Sequence, residues 1–327
     1  PSSPVITLPS SDPKASSWTL EESDYAWSEA ELDEQAAASA VSFDAGEYVV
    51  KSALGGRKVL EVESGAIANE ANVQLYESNG SNAQRWEIVQ LDDGYVQLKN
   101  MGSGKLLDVL GGVASSGNNV QQYASNNTRA QKWLPMSIGG DTVFFSALGR
   151  GLVLDIAGGS VENGANVDVY FYNGTAAQQF SLVESNPEVE PCRDYDLDGW
   201  RSIKSSIDSR FALDIDGGIA SNGTIVQLYQ SNHTLAQLYR FEYDEGWYRI
   251  KSALGGYLDV SAGDPIAGAK VQYWDAVKDS PNQQWSLVEQ SDGSFSFINR
   301  ATGLVLDVTG AQASNYVNVQ AYESNGT

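Results

Sequence analysis

Short runs of alternating apolar and polar residues, each closed by a glycine turn, recur along the chain. KVLEV at 58–62 is matched by LLDV at 106–109, LVLDI at 152–156, ALDI at 212–215, YLDV at 257–260 and LVLDV at 304–308. Each run holds one acid among apolar neighbours: Glu61, Asp108, Asp155, Asp214, Asp259 or Asp307. A second run follows every time: VQLY at 73–76, VQQY at 120–123, VDVY at 167–170, VQLY at 226–229, VQYW at 271–274 and VQAY at 319–322. Its closing aromatic follows the acid at one constant spacing in all six units, from Glu61 and Tyr76 to Asp307 and Tyr322. Gln-x-aromatic forms a third anchor in five units, at Gln84/Trp86, Gln131/Trp133, Gln178/Phe180, Gln237/Tyr239 and Gln283/Trp285. Alternating openers such as YVVKSALGG at 48–56 and YRIKSALGG at 248–256 precede the acidic runs. Period-two alternation broken by glycine turns predicts several short strands per unit, with no room for a long helix. The acids are nearly evenly spaced except for a longer gap between Asp155 and Asp214. That gap divides the units three plus three, with the extra length at 185–199.

Three repeats carrying LDV, NGAxVQLY and QxW resemble the ricin B-chain lectin domain, a β-trefoil. The resemblance covers residues 44–327 as two tandem copies. It implies an all-β chain with four strands per repeat, a pseudo-threefold barrel capped by hairpins, and the Gln-x-Trp strand packed in the core. With a single cysteine, Cys192, the chain has no disulfides to share that load. The expected division is an N-terminal extension over 1–43, a first trefoil over 44–184, an acidic linker over 185–198 and a second trefoil over 199–327. The last strand of the second trefoil is expected to be missing, or to be supplied by residues 15–22 in the same molecule or a neighbour. ASSWTLEESD at 15–24 is similar to NQQWSLVEQSD at 282–292, which places Trp18 and Leu20 in that strand. Between them and the repeats, Ser28-Glu29-Ala30-Glu31 reads as a capping box with Trp27 and Leu32 as its staple, opening a short helix through Ala40.

Strand parity makes a chemical prediction. Side chains alternate faces, so the acid of each unit, the amide of its second run and the closing aromatic point the same way, away from the apolar neighbours. A carboxylate accepts hydrogen bonds from two neighbouring hydroxyls. An amide serves a third, and an aromatic face covers the apolar face of a pyranose. The lectin resemblance implies sugar sites at these same positions. Four units keep the whole trio: Asp108/Gln121/Tyr123, Asp214/Gln227/Tyr229, Asp259/Gln272/Trp274 and Asp307/Gln320/Tyr322. Asn282, an asparagine frequent in the family before Gln-x-Trp, places the fifth unit first. Glu61 with Tyr76 has a longer acid, and Asp155 with Tyr170 has Asp168 in place of the glutamine, so both rank as weaker sites. Two carboxylates facing one pocket repel. Such acids also serve simply to cap turns, and such aromatics to pack on hairpins.

Charge and composition narrow the classes further. Forty-two acids against 20 bases give a net charge of −22, which opposes nucleic-acid or anionic-membrane binding. No run approaches the roughly 20 apolar residues of a membrane-spanning helix. One histidine, His233 in the turn SNHT, and one cysteine make zinc sites and Ser-His-Asp chemistry untenable; no cofactor is expected. Carboxylates recurring in six equivalent places do not mark a unique active centre. DYDLDG at 194–199 places Asp194, Asp196 and Asp198 like the start of a calcium loop, but Ser205 stands where the closing Glu belongs, and a solvated linker is the preferred reading. Sequons at Asn79, Asn126, Asn173, Asn222, Asn232 and Asn325 fall mostly at one repeated turn and are expected to be turn chemistry. A chain opening at Pro1 reads as a processed form. The expectation is noncatalytic, multivalent glycan binding by an exported bacterial protein, extracellular or on a cell surface, targeting a parent protein to polysaccharide. The alternative is a spacer or protein-interaction module that has lost its sugar affinity.

Overall fold

The alternating runs form the strands that parity requires. The computed structural model describes residues 33–34, 43–44, 46–149 and 151–324. In the first repeat the strands are Glu47–Ser52, Lys58–Val62, Ala71–Glu77 and Arg85–Gln90; two further sets of four bring the first sheet to twelve strands, ending at Phe180–Glu184. The second sheet has eleven, from Trp200–Arg201 to Val317–Tyr322. All pairings are antiparallel between neighbours or between repeats, the β-trefoil arrangement. Phe180–Glu184 closes the first barrel by pairing along Glu47–Ser52. No Gln-x-aromatic strand stands in that place in the second barrel among the described residues. No helix among them is long and apolar enough to cross a membrane. The expected capping-box helix, apart from Asp33 and Glu34, and the expected strand at 15–22 lie outside the described residues.

The third anchors fill the cores. Trp86, Trp133 and Phe180 sit together, fully buried, in the first barrel, and Tyr239 and Trp285 do so in the second. Each indole N–H donates to the carbonyl of the residue before its repeat's acid, Leu60, Leu107 or Leu258, at 3.3 Å. The polar tip is thereby satisfied while the ring buries its apolar area. In the sixth repeat, for which the described residues hold no such anchor, Leu306 and Val308 are only half-buried, whereas their counterparts Leu154 and Ile156 are fully enclosed. At the pseudo-threefold axis of the first barrel, Asn72, Asn119 and Asn166 form a closed ring of side-chain hydrogen bonds at 2.9–3.0 Å. The second barrel has Ile225, Lys270 and Asn318 at those positions.

The stretch at 185–198, expected as an acidic linker, packs in part on the second barrel. Cys192, Tyr195 and Leu197 pack against the second core, and the Tyr195 ring meets Phe295 edge-on at 4.9 Å. The backbone N–H of Tyr195 donates to the Tyr248 hydroxyl at 2.7 Å, and that hydroxyl donates to Asp194 at 2.9 Å. Its acids face outward, which is why composition alone suggests a linker, while Cys192, Tyr195 and Leu197 turn inward between them.

Candidate functional site

A glycine-rich turn follows each acid-bearing strand and shapes the site. In Leu110–Gly112, Ala157–Gly159 and Asp216–Gly218, the two glycines hold φ between 60 and 64°. Glycine enters this left-handed region without the penalty of a Cβ. The turn brings the acid strand back antiparallel to the strand ending in the aromatic. The constant offset of acid and amide then becomes a direct cross-strand pair: Glu61 with Gln74, Asp108 with Gln121, Asp155 with Asp168, Asp214 with Gln227, Asp259 with Gln272 and Asp307 with Gln320. In every pair but Asp155–Asp168 the amide donates to the carboxylate, at 2.9–3.1 Å.

The trio shares one face, but its members are unequally open. The acids and amides of the first five repeats are 3–8% exposed, so the expected outward carboxylate is instead a sheltered one. The aromatics are less open than parity suggests. Tyr123, expected to stand free beside Asp108, is half-buried, as are Tyr76, Tyr229 and Trp274; Tyr170 and Tyr322 alone are exposed. Tyr123 is paired directly with Leu106, and cross-strand partners on one face cover each other.

What shelters the acid is the glutamine of the Gln-x-aromatic anchor. Gln84 donates to Glu61 at 2.7 Å and Gln237 to Asp214 at 3.0 Å; Gln131, Gln178 and Gln283 stand beside Asp108, Asp155 and Asp259 and favour their charged forms. The same glutamine accepts the backbone N–H of Asn79, Asn126, Asn173, Asn232 or Val277 at 2.8–3.1 Å, tying the loop after the aromatic to the acid. The sequence pattern assigns this anchor to packing and misses its glutamine as a site residue. A signal is present all the same: in four repeats the glutamine follows the acid at one spacing, and in the fifth it falls one position later. Burial pushes Asp108 and Asp259 up from the ordinary carboxylate range, and their two amide donors pull back against it.

The third repeat lacks one of those donors. Asp168 faces Asp155 with one carboxylate oxygen buried and unpaired, and burial together with the Asp155 charge pushes it up to about 6. Asp155 is also raised, by burial, against a hydrogen bond from Gln178. Tyr170 beside them is 45% exposed. In the sixth repeat Asp307 and Gln320 are half-buried and Tyr322 exposed.

The fourth and fifth repeats diverge most. Asp214, Gln227 and Tyr229 line a cavity of about 450 Å³ whose walls include the turn Asp216–Gly218, Leu235 and Tyr316. In the fifth repeat the corresponding turn, Ser261–Gly263, is pressed against the first barrel. Arg85 donates to the carbonyls of Ala262 and Gly263 at 3.2 and 3.1 Å, and Gly80 lies so close that a Cβ there would be 2.9 Å from that of Ala262. Asp264 pairs with Arg57 and accepts the Ser78 hydroxyl at 2.6 Å. Ile266, 2% exposed, packs with Val49, Val59 and Val183, whereas the aliphatic residues in the corresponding loops of the first four repeats, Ile67, Val113, Val161 and Ile219, are open to solvent. Asn282 lies against this turn too, where the other repeats have Ala83, Ala130, Ala177 or Ala236 beneath their glycine. The feature that ranks this repeat first therefore sits in a turn engaged by the other barrel.

The remaining sequence candidates are placed plainly. No three His, Cys, Asp or Glu side chains gather to hold a metal among the described residues; Asp194 is occupied by Tyr248 and by the N–H of Asp196. Asn79, Asn126, Asn173 and Asn232 each accept a backbone N–H two residues on, at 2.9–3.1 Å, which is turn chemistry. Asn222 instead donates to Asp275, and Asn325 lies outside the described residues. His233 is exposed at φ 60° in its loop.

Trefoils of this construction, with an acid, amides and an aromatic repeated around each barrel, define a class of lectin-like repeat proteins. A family model described as ricin-type beta-trefoil lectin domain-like matches residues 40–123, 82–170, 129–229, 178–274 and 235–322, and the chain belongs to that family. No curated protein matches it. Among solved structures, a mosquitocidal holotoxin is similar over 88% of this chain and 34% of its own, at 17% identity and a TM-score of 0.53, which shows the fold alone. A designed threefold-symmetric protein, ThreeFoil, is 36% identical over 42% of this chain and 99% of its own, with a TM-score of 0.41. An exo-beta-1,3-galactanase from Clostridium thermocellum is 31% identical over 43% of this chain and 30% of its own, with a TM-score of 0.41. The chain thus spans about a third of the holotoxin and of the galactanase.

Proposed function

We propose that the chain is a noncatalytic, multivalent carbohydrate-binding module that directs a larger exported protein, of bacterial origin, to extracellular or cell-surface glycans. One observation carries the reading: a carboxylate held by buried amides beside a half-open aromatic, with two amides on the acid in the first and fourth repeats. A carboxylate oriented by 2.7–3.1 Å bonds needs no reorganisation to accept sugar hydroxyls, and preorganisation of this kind favours binding. The aromatic beside it offers a face to the apolar side of a pyranose. Single sites of this kind are weak, and repetition on one chain raises the overall avidity. Outside the third repeat the acids are partnered by amides rather than by a second carboxylate, which supports binding over hydrolysis. Membership in a lectin-like family supports carbohydrate as the ligand class.

The second barrel's docking through the fifth repeat favours a structural duty for that copy, a spacer role confined to one site. A glycan array tests the main reading. The full chain should bind a defined glycan set, and Asp214→Asn and Tyr229→Ala should weaken it. Absence of binding to every glycan would leave the spacer reading in its place, and turnover of an oligosaccharide would replace it with a hydrolase.

A further inference from the structure

Six turns, one per repeat, each donate a backbone N–H to a neighbouring repeat at the residue before that repeat's aromatic. The donors are Glu70, Gly117, Gly164, Gly223, Gly268 and Tyr316, and the acceptors are the carbonyls of Gln122, Val169, Leu75, Tyr273, Ala321 and Leu228, at 2.8–3.0 Å. All six donors hold positive φ, from 65 to 89°. Four are glycine, which suits that backbone. A tyrosine there is a strained choice, since bulky side chains rarely occupy the left-handed region. Tyr316 holds φ 68° all the same, and its side chain is 68% exposed.

The ring stands beside the aromatic of the fourth repeat. Tyr316 and Tyr229 meet edge-to-face, with centroids 5.1 Å apart, and together form a corner on the cavity that Asp214 lines. Across that cavity Leu235, 59% exposed, occupies the position that Asn82, Arg129, Ala176 and Pro281 hold in the other repeats. A volume of about 450 Å³ falls within the roughly 300–1,000 Å³ of small-molecule sites.

We propose that Tyr316 makes the fourth repeat an extended subsite, selective for a pyranoside that carries a bulky apolar substituent or aglycone. This rests on the carbohydrate reading of Asp214, Gln227 and Tyr229. The sugar ring sits against Tyr229 with its hydroxyls on Asp214, and the apolar group enters the corner closed by Tyr316 and Leu235. The backbone strain is retained because glycine, which suffices beside four other sites, supplies no wall.

The test uses paired methyl and 4-nitrophenyl β-glycosides of galactose, xylose and mannose, titrated calorimetrically into the full chain. At least one nitrophenyl glycoside should bind about fivefold or more tightly than its methyl partner, the gain an added aromatic contact provides. Tyr316→Gly should bring that ratio close to one, and should leave the thermal midpoint unchanged or higher because the strain is relieved. Glu70→Gly, the same change beside the second repeat, should not move the ratio. A preference that survives Tyr316→Gly, or methyl glycosides that bind with no aryl preference at all, would overturn the subsite and leave the carbohydrate reading standing. No binding of either glycoside series would overturn both.

Discussion

The fourth and fifth repeats carry the same trio, Asp214/Gln227/Tyr229 and Asp259/Gln272/Trp274, in the same cross-strand register. One opens on a cavity; the other offers its turn to the first barrel. What separates them is a few residues after the acid. Ile219 in the fourth repeat is exposed, while Asp264 and Ile266 in the fifth plug into Arg57, Ser78 and a patch of valines. The motif therefore fixes how the carboxylate is held, and the hairpin beyond it decides whether the adjoining turn borders an open cavity or packs on the other barrel. A trefoil repeat is a support that serves either end.

Breaking the docking contact should have the largest effect. Ile266→Asp buries a charge against Val49, Val59 and Val183, which should cost about 3 kcal/mol or more of inter-barrel packing. Small-angle scattering should show the two barrels separating, and the fifth repeat should then behave like the fourth. Unchanged scattering would mean that the contact does not hold the barrels together. Next in size, Asp214→Asn replaces a carboxylate with an amide that competes with Gln227 and Gln237. Loss of charge-assisted bonds should weaken glycoside binding by about 1.5–3 kcal/mol, read by calorimetry. The same change at Asp259 should leave binding almost untouched.

The third repeat sharpens the comparison from the other side, because its own amide is lost. Asp168 has its folded-state pKa raised to about 6 from an ordinary 3.8, by burial first and by Asp155 second. The native state thus holds its proton more tightly than the unfolded chain, and stability falls as pH rises from about 4 to about 6. Asp168→Gln restores the amide of the other five repeats. It should flatten that part of the pH–stability profile of the first barrel and add about 1–2 kcal/mol above pH 6, after allowance for the solvent the site retains. Urea denaturation at pH 4.5 and 7.5 reads this directly; an equal effect at both values would show that the pair is not electrostatically strained. Smallest, Tyr229→Ala should remove an aromatic face worth about 1 kcal/mol of binding while leaving the carboxylate held.

Much of this was legible in the residues. The constant spacing from acid to aromatic and the period-two alternation pointed to two trefoils, to the shared face of acid and aromatic, and to the buried Trp86, Trp133 and Trp285. Parity could say which side chains share a face but not what covers that face, which is why Tyr123 is less open than expected. The shelter over Asp214 comes from Gln237, which lies outside the paired strands and is brought back by a loop. Ile219 and Ile266 are the same residue type in corresponding loops, yet one stays exposed and the other is buried on the other barrel, a contact that local spacing does not reveal. Tyr316 reaches Tyr229 from a repeat far along the chain, a contact set by threefold closure rather than by local spacing. The apolar face of 185–198 was masked by its acids.

We propose that access, not motif, selects the repeats that bind. A crystal of the full chain soaked with a glycoside that binds in solution tests it most directly. Sugar density is predicted on Tyr229 with its hydroxyls on Asp214, and none on Trp274 beside Asp259. Density on Trp274 with the fourth cavity empty would contradict it.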